Sequence, residues 1–264
     1  MCPGWYRIRA ADTAFWHARP MAGDRPWNEG ELLGFDLETT GVDRFSDVPV
    51  SYALVTVVGG SVVRRVAGLV DPGRPIPPGA TAVHGITDER ARSEGRPLGE
   101  VVAMLSEALA DAGARGVPVV GMKLDYDLTI LDVQCRRADG RGLAARGFTA
   151  PVLDALVLDR HFDRYRKGRR TLADLCAHYE VAIDNAHDAA ADAEATMGVV
   201  SALCRQFPEL CAQSLADLHR RQIEWHREWA TSFDEWRRGK GLTPLDSRDF
   251  DWPFAGEPTA VGAA

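Results

Sequence analysis

Along residues 32–38 the chain alternates. Leu33, Phe35 and Leu37 fall on one side of an extended backbone, and Asp36 and Glu38 fall on the other. A period of two means a β-strand, and this one sets two carboxylates at i and i+2 on a single face. Like charges a few ångströms apart repel. They are best tolerated around a cation, and Mg²⁺ is a hard cation that takes oxygen ligands. A bare Asp-x-Glu is also at home on a solvated strand edge, so the decision rests with the other residues.

The pattern that follows predicts an α/β domain over residues 31–205. Two β-rich runs, 52–58 and 61–69, flank Gly59 and Gly60 and read as a hairpin. Residues 71–79 carry four prolines and read as loop. Residues 98–112 space Val101, Val102, Leu105 and Leu109 like a helix. Residues 117–121 form a short buried strand, 127–137 a helix, and 152–158 a strand or a helix. Helical patterns return at 171–179 and 188–203. Strands first and interleaved helices after point to one sheet with helices. Residues 1–30, with Trp5, Trp16 and Trp27, show no sustained period and read as an irregular arm. Residues 206–264 read as a helical extension with a Pro- and Gly-rich tail, and Trp225, Trp229, Phe233 and Trp236 form a core-facing stripe on that helix.

Composition narrows the classes. Apolar residues are 45% of 264, ordinary for a folded globular chain. No apolar run reaches the ~20 residues of a membrane span, and no secretory signal is expected. Cys2, Cys135, Cys176, Cys204 and Cys211 are odd in number and form no CxxC pair. Neither a disulfide framework nor a zinc site is therefore expected, and a reducing cytoplasm fits. With 31 Lys and Arg against 38 Asp and Glu the net charge is −7, which argues against binding nucleic acid through bulk charge. A metal site that neutralises its own acids stays open.

Two further clusters carry chemistry. Asp127 follows the apolar run ending at Gly121, at a strand-to-helix junction where α/β sheets place ligands; a helix-capping role accounts for it equally well. His187 and Asp192 are five apart and would not share a face of an ideal helix. With His187 in the preceding loop and Asp192 in the first turns, both can approach one centre.

Taken in order, Asp36-Leu-Glu38-Thr-Thr-Gly41, Val83-His-Gly-Ile-Thr87, Tyr126-Asp127 and His187 with Asp192 resemble the DEDDh family of 3′→5′ exonucleases, the DnaQ-like group that includes proofreading subunits. The resemblance covers about residues 31–205. It implies an RNase H-like fold, a five-stranded mixed sheet with helices on both faces. It implies two divalent ions, Mg²⁺ or Mn²⁺, held by Asp36, Glu38, Asp127 and Asp192, with His187 as general base. It further implies substrate contacts from Thr39, Thr40, His84 and Tyr126, and a DNA 3′ end as partner, with a polymerase as a second one. Two-metal hydrolysis activates the attacking water and stabilises the leaving 3′ oxygen, and an imidazole can take a proton near neutral pH. RNA trimming, or a non-catalytic binding module on the same fold, are the alternatives.

Two features depart from or add to that pattern. Family members usually carry Asn four residues before the second-motif Asp; here Lys123 stands there, and a substitute phosphate contact is expected of it. Residues 160–170 hold six Lys and Arg, with Phe162 and Tyr165 between them. In an acidic chain that binds a polyanion, Arg166, Lys167, Arg169 and Arg170 are the expected phosphate contacts.

Overall fold

The computed structural model describes residues 26–183 and 187–256. Trp5, Trp16 and most of the expected arm lie outside the described residues. A 3-10 turn, Trp27–Glu29, leads into β1, Glu31–Thr39, as the alternation predicts. β2, Pro49–Val58, and β3, Ser61–Asp71, follow as the expected hairpin. Gly59 and Gly60 have φ of 57° and 78°, left-handed values that a tight hairpin turn requires and that glycine adopts without steric cost. Next come α1, Pro78–His84, α2, Asp88–Glu94, β4, Arg96–Pro97, and α3, Leu98–Ala114. β5, Val119–Gly121, feeds α4, Leu124–Asp139, and β6, Val152–Asp154, feeds α5, Ala155–Phe162. The remaining helices are α6, Leu172–His178, α7, Ala189–Gln206, α8, Pro208–Cys211, and α9, Leu215–Gly239.

Among the described residues the sheet has six strands in the order β4-β3-β2-β1-β5-β6, one more than expected. The added strand is the two-residue β4, parallel to the end of β3. A pair of residues that includes a proline leaves no periodicity to read. β1–β2 and β2–β3 are antiparallel, and β1–β5 and β5–β6 are parallel.

Each face carries its own core, and the period of β1 assigns them. Leu33, Phe35 and Leu37 pack with Val102, Leu105 and Leu109 of α3 and Leu128 and Leu131 of α4. Leu32 lies on the opposite face with Val55 and Val57, under Ala193, Met197 and Val200 of α7. Asp36 and Glu38 therefore point toward the α7 side. The C-terminal segment completes both cores, since Leu218 of α9 joins one and Trp252 joins the other. Against expectation, Cys204 and Cys211 are joined by a disulfide that staples the end of α7 to α8. Among the described residues no helix is long and apolar enough to cross a membrane.

Candidate active site

β1 and β5 are neighbouring parallel strands from which the chain departs in opposite directions. Their C-terminal ends make the crevice in which open α/β sheets bind ligands. Glu38 ends the acidic face of β1 there. From the other side, Asp127 enters in the first turn of α4 and is buried. The third side is α7. The helix lies close to the sheet: at Gly34 an added Cβ would stand 3.3 Å from Met197 Cγ. Asp188 caps α7 by accepting from the Ala190 and Ala191 amides, both at 3.1 Å. Asp192, one turn on, is thereby aimed at the strand.

His187 precedes the cap in a left-handed conformation, with φ of 71°. That turn brings its backbone N–H to Asp192 Oδ2 at 3.3 Å, so the five-residue spacing closes on one centre as expected. Glu38, His187 and Asp192 bring ligand atoms within 4.8 Å of one another.

The electrostatics register the crowding. Burial, then Asp127, Asp192 and Glu38, push the Asp36 carboxyl well above the usual range. Burial, reinforced by Asp192 and Asp188, lifts Glu38 to about 7. Asp127 is raised by burial although Lys123 opposes the shift, and Asp192 is raised by burial as well. Asp192 Oδ1 is buried with no hydrogen-bond partner among the described residues. Mutually repelling hard oxygens and one unpartnered buried carboxylate oxygen are a donor set that a divalent cation satisfies.

A residue that the sequence reading passed over holds this edge together. Buried Asp154, at the end of β6, accepts from the Lys123 and Leu124 amides at 3.2 and 2.8 Å. It also caps α5 through the Leu156 amide at 2.8 Å, and its own N–H donates to Gln222 Oε1 of α9 at 2.8 Å. One carboxylate thus fixes the starts of α4 and α5 and ties both to α9. Its only sequence signal is a helix-capping Asp within an apolar run. Asp125 is likewise engaged: Arg44 bridges it at 3.0 Å to Asp249 at 2.6 Å, and the Asp249 carbonyl lies 2.9 Å from His226 Nε2.

Several expected substrate contacts have internal work. The Thr39 hydroxyl donates to the Gly41 carbonyl at 2.7 Å, and the Tyr126 hydroxyl donates to the same carbonyl. Thr40 donates to Asp47 at 2.7 Å. These hydroxyls shape the turn after β1. His84, at the end of α1, shares a cavity of about 180 Å³ with His187, Ser51 and Gly68. Burial, with His187 adding, holds its pKa below the ordinary value. Arg166 and Arg170 are corrected outright: both turn inward onto buried Asp159, so they are not available to a phosphate, whereas Lys167 and Arg169 remain exposed. The charge run was legible in the sequence; the acid that consumes part of it was not.

Lys123 is exposed, with its ammonium 5.7 Å from the Tyr126 ring centroid and with φ of 59°. Left-handed backbone costs an ordinary residue roughly 1–2 kcal/mol, and Asn bears it better. Lys123→Asn should therefore raise the melting temperature by about 1–3 °C, read by calorimetry. No gain would show that the side chain makes a compensating contact.

The comparisons with known proteins agree with this architecture. The exonuclease family model of the RNase T type matches residues 33–200. A DNA polymerase III of the PolC type from Lacticaseibacillus paracasei is 31% identical over 180 residues, 68% of this chain and 12% of that protein. Its counterpart from Streptococcus mutans is 26% identical over 174 residues, 66% of this chain and 11% of the relative. The chain thus spans only about an eighth of these polymerases. E. coli Exonuclease I in complex with a dA16 oligonucleotide superposes with a TM-score of 0.60 at 19% identity, over 75% of this chain and 44% of that one. Exonuclease X in complex with 5′ overhanging duplex DNA gives 0.51 at 19%, over 72% and 98%. At those identities the structural likeness speaks for the fold. The likeness in fold is to RNase H-like exonucleases, and the family match covers more than half of the chain, which belongs to the exonuclease family.

Proposed function

We propose that this chain removes nucleotides from the 3′ end of DNA by metal-dependent hydrolysis. The observation that carries the reading is the convergence of Asp36, Glu38, Asp127 and Asp192 on one crevice, with His187 beside them. The four acids would hold two divalent ions, Mg²⁺ or Mn²⁺. When bound, such ions stabilise charge on the attacking and leaving oxygens of an in-line displacement. The chain's own residues do the rest. His187, exposed at the mouth and close to Glu38 and Asp192, accepts the proton of the attacking water. His84 stands next to it on the same cavity. Lys123, at the exposed start of α4, holds a substrate phosphate, and Lys167 and Arg169 contact the backbone farther out. The likeness to PolC-type polymerases supports a role beside a polymerase.

The direct test is incubation of 5′-labelled DNA and RNA oligomers with Mg²⁺ or Mn²⁺. A ladder of shortened products from DNA is expected. RNA alone being shortened would change the substrate, and no products from either would remove the activity. His187→Ala should slow hydrolysis about 10²–10⁴-fold while Mn²⁺ binding by calorimetry persists. A rate within a few-fold of wild type, with Mn²⁺ binding intact, would take His187 out of the proton transfer.

A further inference from the structure

α9 runs along β6 in the same sense. The Val152 N–H donates to His219 at 3.1 Å, and the Asp154 N–H donates to Gln222 at 2.8 Å. The strand ends there, at the edge that carries the acids, but the helix continues to Gly239. At 1.5 Å per residue it projects roughly 25 Å past that edge. On its first half, the side bearing Leu218, Gln222 and Trp225 faces the domain. Helical spacing continues that side through Trp229, Phe233 and Trp236, now beyond the sheet.

These three rings form a column. Trp229 and Phe233 stack at 5.2 Å with 18° between planes, and Phe233 and Trp236 at 5.6 Å with 10°. At the inner end the Arg160 guanidinium lies 3.4 Å from the centre of the Trp229 ring. At the outer end Trp236 is 51% exposed. The expectation of a core-facing stripe holds for Trp225, which packs into both cores, and fails for Trp236. The cations Arg160 and Arg237 touch the column, and Lys123 stands exposed at the start of α4. The exposed acids Glu224, Glu228 and Glu235 project from the helix at least 60° around from these rings, by helical spacing. Stacked rings bordered by cations, rising from the lip of a hydrolytic crevice, suit a single strand of nucleic acid: bases stack on aromatic faces whatever their identity, and cations meet the backbone.

We propose that the outer face of Trp236, backed by Phe233 and Trp229 stacked beneath it, is a stacking platform for the single strand whose 3′ end lies among the acids, gripping it several nucleotides upstream. The proposal rests on the nucleic-acid reading of the site and adds a second point of attachment to it. The test uses the full chain in EDTA, with 5′-labelled single-stranded DNA of about 4 and about 12 nucleotides, read by fluorescence anisotropy. The wild type should bind the longer oligomer more tightly, and its tryptophan emission should be quenched on binding. Trp236→Ala should lower affinity for the longer oligomer about tenfold, the worth of one stacked base, and collapse the length dependence, and Phe233→Ala, which removes the support beneath that ring, should lower it less. Trp236→Phe, which keeps a ring at a half-exposed position, should restore most of the affinity with less of the quenching. Length dependence that survives in Trp236→Ala, with melting temperature retained, would overturn the platform and leave the column as a protein-docking surface. Hydrolysis by the wild type is scored separately with Mn²⁺. Its absence would sink the exonuclease reading, and its presence beside unchanged binding by the variants would sink only the platform.

Discussion

Asp36→Asn should abolish the proposed hydrolysis and, in the absence of divalent ions, make the protein more stable. Both effects come from one cause. Asp36 stands among Asp127, Asp192 and Glu38, and their charges together with burial disfavour its ionised form. Removing one acid from a metal clamp takes away several kcal/mol of transition-state stabilisation, a loss on the order of 10³-fold in rate. The same substitution removes repulsion that the metal-free fold has to bear. Linkage fixes the sign of the pH dependence. Glu38 titrates near an ordinary carboxylate value when unfolded and at about 7 when folded, so the folded state holds more protons across that interval. Stability is therefore greatest at the acid end and falls as pH rises through about 7. Melting curves of the wild type in EDTA between pH 5 and 7.5 should slope downward. Mn²⁺ should recover the loss at the upper end, and Asp36→Asn should flatten the slope. Activity within tenfold of wild type in a folded variant, or a level melting profile in EDTA, would detach the acids from the role given to them.

Arg170→Ala behaves as a stability variant. Asp159 is fully buried, and accepts from Arg166 at 3.2 Å, from Arg170, and from the Tyr179 hydroxyl at 2.8 Å. Stripping one cation from a buried carboxylate costs about 3–5 kcal/mol, enough to lower the melting temperature by on the order of 10 °C in a chain of this size. Lys167→Ala and Arg169→Ala, three residues and one residue away and exposed, should leave melting unchanged while weakening oligomer binding and lowering its salt dependence. Thermal melts of all three, beside affinities at two salt concentrations, separate the roles. A fully stable Arg170→Ala that binds DNA poorly would restore the arginine to the substrate.

The sequence made legible what repeats or alternates. β1 was readable because apolar residues and acids alternate from Phe35 to Glu38, and the hairpin because two glycines interrupt two β-rich runs. The acids were readable through their order along the chain, which no single motif would have carried. What escaped was set by partners distant in sequence. Asp154 reads as one acid in an apolar run, and only the fold brings Lys123, Leu124 and Gln222 to it. Asp125 looks like a solvated neighbour of Asp127 until Arg44 and Asp249 arrive from either end of the domain. Trp236 sits at core-like helical spacing, yet the sheet ends before the helix does.

The Asp154 junction has a consequence for motion. The turn that presents Asp127 is pinned by a carboxylate whose own amide is held by α9, so fraying of α9 near Gln222 would loosen the loop ahead of Asp127. Cooperative opening follows shared hydrogen bonds and packing. The amides of Leu124, Asp154 and Leu156 then belong to the same opening unit as the middle of α9, although that helix contributes no acid to the crevice. The geometry around Asp127 thus depends on an element outside the crevice, and a contact at the far end of that helix would reach the acids through one shared carboxylate.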